Sequence, residues 1–168
     1  IADRFKAIGL QPGGDSGSYF QKFTVDKGPN GTPVEAVNVI GVMPGTKTEW
    51  KDQSAILSAH YDHLGLGWPD VHKGDEGKPH NGADDNASGV ATLLEMIDAF
   101  SRTQWQPRRS IMFAFWDGEE IDLLGSRHWV RKPTVPLTDV RLAVNIDMIG
   151  RLRDGRLEVG GTRTASGL

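Results

Sequence analysis

The sequence predicts an α/β protein, a three-layer α/β/α sandwich around a mixed, largely parallel central sheet. Three observations carry this expectation. Residues 54–63 ("SAILSAHYDH"), 110–120 ("SIMFAFWDGEE") and 140–150 ("VRLAVNIDMIG") are apolar nearly throughout, the pattern of strands buried on both faces of a parallel sheet. Segments with helical spacing separate them, which puts helices over the sheet. Two earlier segments, "SYFQKFTVD" (18–26) and "EAVNVIGVMP" (35–44), read as strands joined by the turn-rich "KGPNGTP".

Taken in order, Ile1, Phe5 and Ile8 have helical spacing, and Gly9 suits a C-terminal cap. No N-cap precedes them, so this helix is expected to begin upstream. A Gly-, Pro- and His-containing loop covers 64–82, a length that is usually functional or mobile. A helix follows over about 87–101, with Val90, Leu93, Leu94, Ile97 and Phe100 on one stripe. A second helix over about 122–132 stops at Pro133. "RLRDGRLEV" suggests a hairpin turning at Asp154-Gly155, after which "GGTRTASGL" stops. The expectation is one domain over 1–168, incomplete at the C-terminus and at the N-terminus.

Composition narrows the function classes. With 168 residues the chain is long enough for one real core. Its net charge of −3 and lack of a basic stripe argue against a nucleic-acid partner. No apolar run approaches the ~20 residues needed to cross a bilayer. There is no cysteine, so any metal must be held by histidine and carboxylate.

Ligands of open α/β sheets bind beyond the carboxyl ends of the strands. All three apolar strands deliver His or carboxylate at that end, so residues scattered from 60 to 147 should meet at one edge. In "NGADDNASGV" (81–90), a turn that caps the helix accounts for one acidic or amide residue. Asp84 and Asp85 side by side ask for more, because adjacent like charges repel unless a cation lies between them. Glu119 and Glu120 either favour a helix dipole or divide two tasks, one binding a metal and one taking a proton from water. His60 and Asp62, two apart at a strand end, share a face, and Asp62 is placed to orient the imidazole of a ligating His60. Asp147 interrupts a strand expected to be buried on both faces, where an unpaired carboxylate is costly. The other histidines carry weaker signals: His63 at the cleft mouth, His72 and His80 in the long loop, His128 near a helix C-terminus. One histidine with several carboxylates suits Zn²⁺ or a similar divalent ion.

"SAHYDHLG", "NGADDNASGV", "FWDGEE…GSRHW" and "VNIDMIGR" together resemble the successive metal-site motifs of the M28 family of zinc aminopeptidases. Order and spacing match across about 54–151, and "IGLQPGG…YFQKF" resembles the segment that precedes that core. The resemblance implies two Zn²⁺ ions per complete site: His60 and Asp147 on one, Asp85 bridging both, Glu120 on the other, and Glu119 as general base. It also implies a cis peptide bond after the bridging aspartate, here Asp85-Asn86. The family's second zinc takes a further histidine well downstream, and this chain ends before that point. The implied activity is removal of N-terminal residues from peptides, with the peptide as partner and a secreted or periplasmic setting. A one-zinc glutaminyl cyclase, a carboxypeptidase of the same fold, and a binding-only relative are the alternatives.

Overall fold

The computed structural model describes residues 1–152 and 154–161. The first helix, α1 (Ala2–Ile8), ends at the predicted glycine. Gly9 takes φ 83°, and its N–H returns to the carbonyls of Phe5 and Lys6. That left-handed turn is nearly free for glycine and strained for other residues. It drops Phe5 onto the sheet, where it is fully buried.

Six strands form one sheet: β1 (Gln11–Pro12), β2 (Phe20–Val25), β3 (Val34–Met43), β4 (Ser54–His60), β5 (Ser110–Trp116) and β6 (Val140–Asn145). They lie in the order β1-β3-β5-β4-β6, with β2 also paired to β3. β3 is antiparallel to β1, β2 and β5, whereas β4 is parallel to both β5 and β6. The sheet is mixed, as expected from the sequence: the three strands that matter to the site are parallel, whereas every pairing of β3 is antiparallel, so the largely parallel character is confined to β4, β5 and β6. Their register pairs His60 with Trp116 and Ser58 with Asn145. His60, the turn after Trp116 and the segment after Asn145 therefore emerge at one edge.

The core occupies both faces of the sheet. On one, Phe113 and Phe115 of β5 pack with Phe5, Leu10, Val39, Ala59, Leu93 and Ile97. Leu93 and Ile97 belong to α2 (Gly89–Arg102), and Val90, Leu94 and Phe100 of the predicted stripe pack against the same cluster. On the other face Met112, Ala114 and Trp116 meet Trp129 of α3 (Leu124–Arg131). The period-2 alternation of β5 thus sends aromatic rings to the α1/α2 side and Met112, Ala114 and Trp116 to the α3 side. No helix among the described residues is long and apolar enough to cross a membrane.

One expectation fails. β6 is not buried on both faces: Leu142 and Val144 are each 40% exposed. Its apolar sequence fits a strand, but β6 pairs only with β4 and forms the edge of the sheet among the described residues. The turn at Asp154-Gly155 has positive φ at both residues, the signature of a tight hairpin turn, yet the described residues around it are not strands apart from a single bridge at Arg156. The stretch 162–168 at the end of the chain lies outside the described residues.

Candidate metal centre

Each element delivers its candidate ligand for a local reason. β4 ends at His60, whose side chain is 1% exposed. Its Nδ1 donates to the backbone carbonyl of Asp62 at 3.1 Å, with the Asp62 carboxylate 3.6 Å away. Nε2 then faces outward from the strand end. Asp85 Oδ1 stands 3.0 Å from it, Asp147 Oδ1 3.5 Å and Glu119 Oε2 3.9 Å.

Asp85 sits in the turn 83–88 that leads into α2. Asp85 and Asn86 leave helical geometry there, and the bond between them is cis, as the resemblance implies. The two adjacent aspartates divide their work. Asp84 Oδ1 accepts the N–H of Gly150 at 2.8 Å, and Asp84 Oδ2 lies 3.3 Å from Arg151 Nε. Asp85 alone turns toward His60. Asn86, which is 2% exposed, ties this turn to the segment carrying Asp147. Its Nδ2 donates to the Ile146 carbonyl at 2.9 Å, and its Oδ1 accepts from Gly89 at 3.0 Å and Met148 at 3.3 Å.

The acidic pair after β5 is held from two sides. Asp62 accepts the backbone N–H groups of Glu119 and Glu120 at 3.0 and 3.2 Å. Asp117 accepts from Val37 N and from the Tyr61 hydroxyl at 2.8 and 3.2 Å. Glu120 then reaches His63, with Oε1 2.6 Å from Nδ1, while Glu119 lies on the His60 side. Two three-donor sets result: His60, Asp85 and Asp147, and His63, Asp85 and Glu120, with Asp85 common to both.

Electrostatics follow from this crowding. Burial pulls the His60 imidazole down, but the hydrogen bond to Asp62 and the charges of Glu119, Asp147 and Asp62 outweigh it and raise it to about 9. Burial, assisted by Asp147, Glu120 and Asp62, lifts Glu119 above the ordinary range despite His60. Asp147 is also raised, by burial and by Asp85 against the pull of His60. Asp62 moves the other way: burial opposes ionisation, but the His60 hydrogen bond and the two backbone donors lower its pKa.

The donor set fits a divalent cation. His60 Nε2 is buried and has no hydrogen-bond partner, although carboxylates crowd it. Because Nδ1 is the donor to Asp62, Nε2 of the neutral ring presents a lone pair to those carboxylates. Only a cation or an added proton relieves that arrangement.

The structure brings His60, Asp62, Asp85, Glu119, Glu120 and Asp147 together, as the sequence suggested. Asp147 comes with a corrected reason. It lies beyond the end of β6 with a 37% exposed side chain, not inside a strand buried on both faces. His63, expected at the cleft mouth, lies against Glu120, and sequence reasoning missed the bonds made by Asn86 and Asp117. An amide next to a suspected ligand in a helix-entry turn was the available signal for Asn86.

The model of peptidase family M28 matches residues 38–167. A probable glutamate carboxypeptidase of Arabidopsis thaliana is 35% identical over 66% of this chain and 14% of its own length. A probable lipoprotein aminopeptidase of Mycobacterium tuberculosis is 27% identical over 95% of this chain and 28% of its own. Among solved structures, a Zn-dependent exopeptidase from Parabacteroides distasonis superposes with TM-score 0.69 at 27% identity, covering 89% of this chain and 51% of that one. A glutaminyl cyclase from an Acidobacteriales bacterium gives TM-score 0.61 at 29% identity, covering 88% and 47%. The chain thus spans less than a third of these two curated relatives and about half of these two solved chains.

Proposed function

The chain belongs to peptidase family M28, and on that premise we propose that it is the catalytic part of a zinc-dependent aminopeptidase. The observation that carries this reading is the unpartnered Nε2 of buried His60 facing Asp85 and Asp147. His60, Asp85 and Asp147 would hold one zinc ion, and Asp85 and Glu120 would contribute to a second. Zinc bound there would supply a water of lowered pKa and polarisation of the scissile carbonyl.

The chain's own residues do the rest. Glu119, with its raised pKa, takes the proton of the attacking water and returns it to the leaving amine. Asp62 fixes the His60 ring and holds Glu119 and Glu120 in place through their backbone N–H groups. A probable lipoprotein aminopeptidase among the relatives and a zinc aminopeptidase of Bacillus subtilis among the solved structures favour an aminopeptidase over a carboxypeptidase. Residues 1–168 act as one peptidase domain in this reading. A lipoprotein among the relatives supports a secreted or periplasmic setting, which cell fractionation tests.

Glu119→Ala is expected to keep its zinc while losing ~10²–10⁴-fold in peptide hydrolysis. Near-normal turnover in that variant would remove Glu119 as the base. An N-acetylated peptide should resist cleavage, and its ready hydrolysis would exclude an aminopeptidase.

A further inference from the structure

We propose that Asp117 is a positioning residue for the turn 117–120 that carries Glu119, acting through a polar seam where β3 and β5 part. This rests on the assignment of Glu119 as general base and adds the group that holds it in place. The register of the two strands, Val39 with Phe115, would next bring Asn38 opposite Trp116 and Val37 opposite Asp117. The ladder instead stops at Val39, and side chains take over its hydrogen bonds. Asn38 Oδ1 accepts the Asp117 N–H at 3.2 Å, and Asp117 Oδ2 accepts the Val37 N–H at 2.8 Å. The Val37 carbonyl accepts the Tyr61 hydroxyl at 2.5 Å, and that hydroxyl also lies 3.2 Å from Asp117 Oδ2. β5 thus leaves its neighbour where the chain must turn toward the metal centre, while both backbone groups of Val37 keep partners.

The seam grips the turn before and after Glu119. Asp117 Oδ1 accepts the N–H of Gly118 at 2.9 Å, which closes the bend. Further on, α3 starts against the same seam. Asn38, whose side chain is fully buried, donates through Nδ2 to the Gly125 carbonyl at 2.9 Å and to Gln21 Oε1 at 3.1 Å. A Cβ at Gly125 would lie 2.2 Å from the Asp117 carbonyl oxygen and 2.4 Å from Asn38 Oδ1, an approach that a side chain would forbid. Asp117 therefore uses both carboxylate oxygens as acceptors, one for β3 and one for its own turn. An amide cannot do this, because it has one oxygen and its NH₂ group only donates. The position of Glu119 depends on such anchoring, since a catalytic group misplaced by ~1 Å loses about 10²-fold in rate.

Two substitutions separate anchoring from bulk stability. Asp117→Asn keeps the shape and removes one acceptor, and Tyr61→Phe removes only the hydroxyl. In the full chain loaded with Zn²⁺, amide hydrogen exchange followed by NMR should quicken about tenfold or more at Glu119 and Glu120 in Asp117→Asn. Tyr61→Phe should quicken it by less, and Phe113 and Phe115 within β5 should stay protected in both. For a short peptide with a free N-terminus, kcat should fall about 10–100-fold in Asp117→Asn with KM nearly unchanged, because the loss lies in the transition state and not in substrate binding. Unchanged exchange at Glu119 and Glu120 would overturn the proposal. So would an unchanged kcat, or exchange that rises equally through the whole of β5, which would make Asp117 a stabilising residue only. If Asp117→Asn does not fold, Tyr61→Phe decides by the same readouts. Absence of hydrolysis by the zinc-loaded wild type would instead strike the aminopeptidase reading, and the exchange rates would still decide whether Asp117 sets the turn.

Discussion

β4 and β6 are neighbouring parallel strands of similarly apolar composition, and each sends a candidate ligand to the same site. Their surroundings are opposite. β4 pairs on both sides, and its terminal His60 is 1% exposed. Among the described residues β6 pairs on one side only, has two side chains 40% exposed, and leads to an Asp147 that is 37% exposed. Packing places the strand end that carries His60, and Asp62 fixes its ring. Hydrogen bonds place Asp147, because Asn86 grips the backbone at Ile146 and Met148, while Asp84 and Ser88 hold Gly150 and Ile149. Two routes to one coordination geometry differ in what breaks them.

The packed side carries the largest expected effect. Phe113 is fully buried between β5 and the α1/α2 layer, and Phe113→Ala should destabilise the fold by ~3–5 kcal/mol through lost burial and the cavity left behind. Denaturant unfolding of the metal-free protein measures it. A loss below about 1 kcal/mol would mean that this face packs too loosely to fix His60, and the contrast with β6 would collapse.

The hydrogen-bonded side is tested at Asn86. Asn86→Ala strands the buried Gly89 N–H and deprives Met148 N–H and the Ile146 carbonyl of their partner. That should cost about 1–3 kcal/mol. Its sharper consequence is at the metal, because groups that orient ligands typically govern affinity by ~10–100-fold. Zinc affinity of the site containing Asp147 should fall by that factor, measured by competition with a chelator of known affinity. If stability drops and zinc affinity does not, Asn86 is structural only and Asp147 is positioned by some other contact.

How much of this was legible follows from the physics of each signal. Apolar runs ending in His60, Glu119-Glu120 and Asp147 revealed the strands, and the rule for strand carboxyl ends brought those residues to one edge. Helical spacing and a glycine cap located α1 and α2. Burial of β6 was not legible, because an apolar run records what a strand is able to pack against, not whether anything lies there. Nor was the division between Asp84 and Asp85. It depends on which carboxylate meets the backbone at Gly150, a contact 66 residues away in sequence. The contact of His63 with Glu120 was hidden for a related reason. Strand periodicity speaks for His60, but β4 ends there, and the direction of the His63 side chain depends on Glu120, 57 residues away, and on the close approach of Gly82.

The smallest expected effect is the one that most sharpens the comparison. Val144 lies in β6 and is 40% exposed, so Val144→Thr keeps the β-branched shape that a strand favours and changes only its polarity. With the side chain already in contact with water, little transfer energy is at stake, and the change should stay within about 0.5 kcal/mol. Zinc affinity should be unaltered, since Asp147 is held by bonds to the chain after the strand rather than by packing of the strand itself. A loss of 2 kcal/mol or more, the scale of a buried polar substitution, would show that this face is covered in solution. Asp147 would then owe its position to packing after all, and the difference between the two strands would be one of assembly rather than of construction.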